Sequence, residues 1–363
     1  MKLTVTNNRG MALTVAVFIM TILLTVTGAG LFLSQMDLKV AGSHKRSMQA
    51  FELADSGIQH SLALIPAGTT FPYSSPLQLI DSASLPSAAG FNYSVVAVNT
   101  ASDTQAILTS TSEGLQNSRK VIVAYVGRGG YGFGAVHVPG EAGDIETKFS
   151  GDSFSINGTD RCGQAASVPG ISATDPALAA EITNDSLADG GLDSNQMDNV
   201  TGVGGSPSVR VASQSPTMVS DLADAFLAQT HTELLGGDYG GNESWGTAAS
   251  PRITRITGDA NIQGTIEGYG VLIVDGALDV SGNFTFNGLV IARGDIEVQF
   301  TGNAGIFGSV VLAESTNYDP TIELDVRGNA NIRYDSCALA AADHWVPLPK
   351  AARILAWQEK FSS

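Results

Sequence analysis

Between Met11 and Leu33 this 363-residue chain has no Asp, Glu, Lys, Arg or His. As a helix rising about 1.5 Å per residue, those 23 residues span roughly 34 Å, more than the hydrocarbon thickness of a bilayer. The lack of charge excludes an ordinary solvated helix. Positive charge is scarce everywhere: 19 Lys and Arg stand against 35 Asp and Glu, a formal net charge of −16. So acidic a chain repels phosphate backbones, and nucleic acid is not an expected partner. An acidic exterior that resists precipitation is the simplest reading of the imbalance.

Reactive residues are few as well. The two cysteines, Cys162 and Cys337, have neither metal-ligand nor redox spacing. The five histidines, His44, His60, His137, His231 and His344, form no HExxH or HxH pair and none sits beside a cysteine in a zinc spacing. There is no Gly-x-Ser-x-Gly elbow. The glycine cluster Gly127–Gly134 lacks the Gly-Lys-Ser/Thr ending of a phosphate loop and reads as a flexible junction. No enzyme activity and no cofactor are expected.

The N-terminal apolar run has three readings: a cleavable secretory signal, a signal anchor, or a processed helix. Its length and the polar, helix-compatible sequence that follows argue against the first. The basic leader carrying Lys2 and Arg9 ends in Arg9-Gly10, followed by Met11-Ala12-Leu13-Thr14-Val15 and, later, Gln49-Ala50-Phe51-Glu52-Leu53-Ala54-Asp55-Ser56-Gly57-Ile58. In these features the first 65 or so residues resemble type IV prepilins, and among them the PilX-like minor pilins. The resemblance implies that a prepilin peptidase cuts between Gly10 and Met11 and methylates the amine of Met11. It also implies other pilin subunits as partners through the N-terminal helix. The protein would be a single-pass inner-membrane protein with a periplasmic domain, and then part of an extracellular pilus. Val15 stands where most major pilins carry Glu, a departure shared with minor members and consistent with a sparse or tip subunit.

Past Leu33 the helical pattern continues to residue 65. Met36, Val40, Ser47, Phe51, Ala54, Ile58, Leu62 and Ile65 recur at helical intervals before Pro66 stops them. His44, Lys45 and Arg46 read as a solvated or headgroup-facing cluster, and Gly28 and Gly30 as points where the apolar helix loosens. Residues 67–90 read as a loop. Three alternating segments in 91–126, Phe91–Val98, Gln105–Thr111 and Arg119–Val126, predict a small antiparallel meander. A long helix laid on such a sheet is the arrangement the resemblance implies.

The distal part, 135–348, repeats internally. Gly258–Gly264, Gly282–Gly288, Gly302–Gly308 and Gly328–Tyr334 share a Gly-Asx-rich pattern, and the apolar runs Val271–Val274, Leu289–Ala292 and Val310–Ala313 lie between them. Short β-runs joined by Gly-Asn corners predict a right-handed parallel β-helix, or solenoid, because each coil must turn sharply. The segment Gly143–Gly151 matches Gly294–Gly302 and reads as a first coil, separated from the rest by an insertion at 162–251. That insertion holds 11 acidic residues and one base, Arg210, with a helical pattern only over Thr217–Leu235. The predicted fold class is therefore α+β, closed by an amphipathic helix in 349–363 that caps the solenoid's open edge.

Three chemical alternatives stay open. Cys162 and Cys337 are either a disulfide, which the translocated side of a membrane permits, or two buried thiols. Asp185, Asp189, Asp193 and Asp198, or Asp238, Asn242 and Glu243, could offer oxygens to calcium, against a simply solvated insertion. Asp275, Asp279, Asp295 and Glu297 near Arg293 could form a lyase-like face, against a solvated outer surface. Two other roles compete with a pilus subunit. One is a K-type minor pseudopilin of a type II secretion system; the other is a surface β-helix on a signal anchor that binds or cleaves carbohydrate.

Overall fold

The computed structural model describes residues 9–86, 90–131, 133–140, 145–184, 191–212, 216–294, 297–314 and 322–360. Its architecture is α+β: a long N-terminal helix, a five-stranded antiparallel sheet and a parallel β-solenoid. Helix α1, Arg9–Leu64, runs for 56 residues, about 84 Å. Its C-terminal part buries Ala50, Leu53, Ala54, Gly57, Ile58 and Ser61 at intervals of three and four, with Ile65 just beyond. Of the expected stripe, Ala54, Ile58 and Ile65 are buried, and Ser47, Phe51 and Leu62 are half-buried. Met36 and Val40 lie below the sheet and are exposed.

The strands Leu77–Ala83, Asn92–Asn99, Gln105–Glu113, Arg119–Tyr131 and Lys350–Lys360 form the head sheet in that order. Its buried residues alternate, Val95 with Ala97 and Ala106 with Leu108, so one face meets α1. The small residues of α1 let the two backbones approach. A Cβ on Gly57 would collide with Ser110 Oγ and crowd the Tyr93 ring. The buried Ser112 hydroxyl donates to the Ala50 carbonyl at 2.6 Å.

Three expectations for the head are corrected. Residues 349–363 do not form a capping helix: Lys350–Lys360 is a strand antiparallel to Arg119–Tyr131, and 361–363 lie outside the described residues. The helix pattern of Ile354, Leu355 and Trp357 loses to an open sheet edge whose backbone groups need partners. Trp357 also reaches the Phe51 ring, with 6.0 Å between centroids. The glycine cluster is not a junction up to Tyr131 but a strand, with the side chains of Leu355 and Arg353 lying across Gly127 and Gly129. Residues 67–90 contain the strand Leu77–Ala83, paired with Asn92–Asn99.

The solenoid has three faces, each a row of parallel strands. One row stacks Asn242–Trp245, Thr265–Gly268, Asn283–Phe286, Asn303–Gly308, Asn331–Tyr334, Ser155–Asn157 and Val200–Thr201. A second stacks residues 232–235, 252–256, 270–274, 288–294 and 308–314, then Val136–Val138, Ile171–Ala173 and Val209–Val211. The third joins residues 237–239, 260–262, 278–280, 297–300, 322–327 and 145–150. Inward columns such as Phe286, Ile306, Ile332, Ile156 and Val200 fill the core. At one corner Gly270, Gly288 and Gly308 take φ of +117°, +143° and +147°. A Cβ on Gly308 would strike the Gly288 carbonyl directly beneath it. Asn283, Asn303 and Asn329 form a side-chain ladder at another corner, at 3.0 and 3.2 Å.

The order of coils differs from the order of the chain. The segment 136–157, first in sequence, stacks on the last coil, 308–334. The chain then runs outward through Ile171–Ala173 and Val209–Val211, where helix α2, Pro176–Ile182, packs. It returns along the solenoid as helix α3, Pro216–Leu227, whose Val219, Leu222, Ala223 and Phe226 are buried, and restarts at Thr232 at the opposite end. Residues 162–251 are thus no single insertion. They contribute strands at both ends, and the helix expected to reach Leu235 stops at Leu227, where β-pairing to Arg252–Ile262 takes over. The repeat register also shifts: Gly264, not Gly258, stacks beneath Gly282. Helix α4, Ser336–Trp345, packs beside the middle coils, capped by Asp335.

Candidate functional site

α1 divides into two halves with different surroundings. From Leu13 to Ala41 every residue with described surroundings is exposed, including Leu13 and Leu38 at 71% and Phe32 at 64%. This is the one described helix long and apolar enough to cross a membrane. Thr21, Thr25 and Thr27 donate their hydroxyls to carbonyls one turn back, so their polar atoms need no outside partner. Gly28 and Gly30 have open space around them. Gly10 and Met11 lie in the first turn, and Val15 is exposed at 52%. Residues 1–8 of the leader, Lys2 among them, lie outside the described residues. The lower half of α1 is therefore a largely apolar surface with no partner among the described residues.

The upper half is fastened at its end by Arg128. Its guanidinium donates to the carbonyls of Pro66 at 2.7 Å, Lys350 at 3.0 Å and Thr70 at 2.5 Å, and lies over the Phe71 ring. Burial lowers its pKa, with the Tyr73 phenol opposing. Arg128 thus joins the exit from α1 to the C-terminal strand.

A second cluster sits where the sequence-distant coils meet. Cys162 and Cys337 form a disulfide with Cα atoms 6.1 Å apart. Beside it the buried Asp160 accepts from Ser336 N and Oγ, Gln164 N and Ala165 N, all at 2.8 Å. Burial alone would raise the Asp160 pKa, but these hydrogen bonds lower it. Arg161 pairs with Asp335 at 3.5 Å and covers the Phe307 ring. Among the described residues, Cys162, Asp335 and Cys337 group tightly enough to hold a metal, but the disulfide occupies both sulfurs.

The other sequence candidates do not converge. Asp185, Asp189 and Asp295 lie outside the described residues. Asp193 accepts from Asn195 N and Gln196 N in a turn, and Asp198 lies in the 3-10 turn Met197–Asn199. Asp238 accepts from Asn261 at 2.8 Å, while Glu243, on another face beside Asn242, accepts from Trp245 Nε1 at 3.0 Å. Asp275 is held between Arg255 and Arg293, both at 2.6 Å, and Arg293 also holds Asp224 of α3 at 2.5 Å. Asp279 lies on the third face, where burial raises its pKa; Glu297 starts the next strand of that row. The Arg293 pairs with Asp275 and Asp224 fix α3 to the solenoid.

The histidines are dispersed too. His44 is exposed, His60 meets the Tyr93 hydroxyl at 2.8 Å, His231 meets the Gln229 carbonyl and His344 ends α4. His137 is fully buried, its Nδ1 2.8 Å from Ser172 Oγ, and burial pushes its pKa down to about 4. Sequence reasoning missed Arg128 and Asp160, whose hydrogen-bond partners are mostly backbone atoms that residue patterns do not reveal.

No family model matches this chain, and no curated protein matches it. Among solved structures, the competence-associated pilin ComZ from Thermus thermophilus aligns over 86% of this chain and 97% of its own, at 11% identity and a TM-score of 0.24.

Proposed function

We propose that this protein is a non-catalytic minor pilin, held in the inner membrane by α1 and then incorporated into, or priming, a type IV pilus. The observation that carries the reading is the division of α1. One continuous helix begins at Arg9-Gly10, exposes the uncharged apolar stretch to Leu33 with no partner among the described residues, and lays its C-terminal part on an antiparallel sheet. An exposed stretch of that kind is stable only in lipid or among other apolar helices. A prepilin peptidase cutting at Gly10–Met11 and methylating Met11 would release the helix for packing with other pilin subunits. The solenoid is then presented outward for interaction or adhesion. Its bulk, and Val15 in place of an acidic residue, suit a sparse subunit better than the main fibre component.

The test is fractionation of extracellular fibres from cells that produce the protein. The chain is expected in the fibres well below the major subunit, and Gly10→Glu is expected to leave it in the membrane. Recovery only in a periplasmic secretion pseudopilus would move the reading to a K-type pseudopilin. Recovery at the cell surface with Gly10→Glu unchanged would favour an anchored carbohydrate-binding β-helix.

A further inference from the structure

Between the head and the solenoid lies an open cleft of about 290 Å³. Gly129, Tyr131, Lys350 and Arg353 line it from the head side, and Gln164, Ala165 and Ser336 from the solenoid side. In a chain with nearly twice as many acids as bases, both charged residues of this cleft are cations. The nearby carboxylates are already engaged. Asp160 accepts from Ser336, Gln164 and Ala165, and Asp343 accepts from Leu348 N and Lys350 Nζ, each at 2.8 Å. Arg353 pairs through its backbone with the neighbouring strand, but its guanidinium has no hydrogen bond or ion pair among the described residues. Its stem crosses Gly129, where a Cβ would collide with it, so the glycine gives the arginine its path to the cleft.

We propose that this cleft binds a small carboxylate-bearing polyol such as a single sugar acid. The guanidinium fork of Arg353 takes the carboxylate, Lys350 supports it, and Gln164 and the Tyr131 hydroxyl are the donors for the ring hydroxyls. Charge disfavours a dianion: Arg353 contributes one unpaired positive charge, that of Lys350 is balanced by Asp343, and Asp160, kept ionised by its hydrogen bonds, adds a negative charge behind Ser336. A phosphate dianion would be left half-compensated. The volume is at the lower end for ligand pockets and suits one ring. Burial, with Asp343 and Tyr334 nearby, raises the Tyr131 pKa, so its phenol remains a donor across physiological pH. The walls are fixed before binding, by the Cys162–Cys337 disulfide on one side and the strand pairing of Lys350–Lys360 on the other. The proposal does not depend on the pilus reading.

The experiment is calorimetric titration of the full chain in detergent with D-galacturonate, D-galactose and inorganic phosphate as probes. Galacturonate is expected to bind at one site, at least about tenfold more tightly than galactose or phosphate. Arg353→Gln, at an exposed strand position, is expected to lose about tenfold or more without lowering the unfolding temperature, and Arg353→Lys about half of that in free energy. Gly129→Ala, which displaces the arginine, is expected to weaken binding likewise. No saturable binding up to about 10 mM galacturonate would overturn the proposal. So would equal binding of galactose, phosphate binding as tight as galacturonate, or an Arg353→Gln protein that binds unchanged.

Discussion

The head and the solenoid hide apolar residues by different means. In the head, one sheet face buries alternating residues against the small side chains of α1, and most strand partners are near neighbours in sequence. In the solenoid, residues such as Val271–Val274 and Leu289–Ala292 are buried throughout, because the interior packs on one side and α3 and α4 cover the other. The head's fit depends on close helix–sheet approach at a few points. The solenoid's depends on every coil repeating the shape of the one beneath it. A defect in the solenoid therefore passes along a stack, whereas a defect in the head stays local.

The sharpest way to break this contrast is at the glycine column. Gly308→Ala places a Cβ at positive φ against the Gly288 carbonyl, and is expected to cost about 4 kcal/mol, read as loss of the solenoid's cooperative unfolding transition. Next is the seam between the coils at 136–157 and 308–334. Replacing Cys162 and Cys337 by Ser is expected to destabilise the solenoid by about 3 kcal/mol in denaturant titration. Hydrogen exchange in Asn92–Glu113 should remain unchanged.

Acid gives a third test. His137 is neutral when buried, and its folded pKa of about 4 lies below the unfolded value of 6.5. The unfolded chain therefore binds more protons between those values. The His137 contribution is complete above about pH 6.5 and is lost as pH falls towards 4, amounting to about 2 kcal/mol between pH 7 and 5. Thermal unfolding of His137→Gln at both pH values should show that part of the slope removed. The smallest effect is expected in the head. Gly57→Ala should cost about 1–2 kcal/mol and speed hydrogen exchange at Ser110 and Ser112, leaving the solenoid transition in place.

The same contrast explains what was legible in the sequence. The apolar run of α1, the meander and the existence of a solenoid all follow from local periods, and all are present. The order in which coils stack is not local. Gly143–Gly151 does resemble a coil, as Ile145–Ser150 shows, yet nothing in its residues says that it pairs with Ile322–Arg327 and not with a neighbour in sequence. The C-terminal segment misled for a related reason. Its helix-like spacing was real, but Arg119–Tyr131 offered an edge that only the assembled sheet reveals. The acidic candidates dispersed because Asp193, Asp238, Asp275 and Glu243 each found a nearby donor. Close spacing in the chain did not bring them to one point.

The central claim is that the exposed half of α1 is an assembly helix released by cleavage after Gly10. Mass spectrometry of the N-terminal peptide from membrane-extracted native protein tests it most directly. The account predicts a chain that begins at Met11 with a methylated amine. An intact Met1, or a start beyond Leu33, would contradict it.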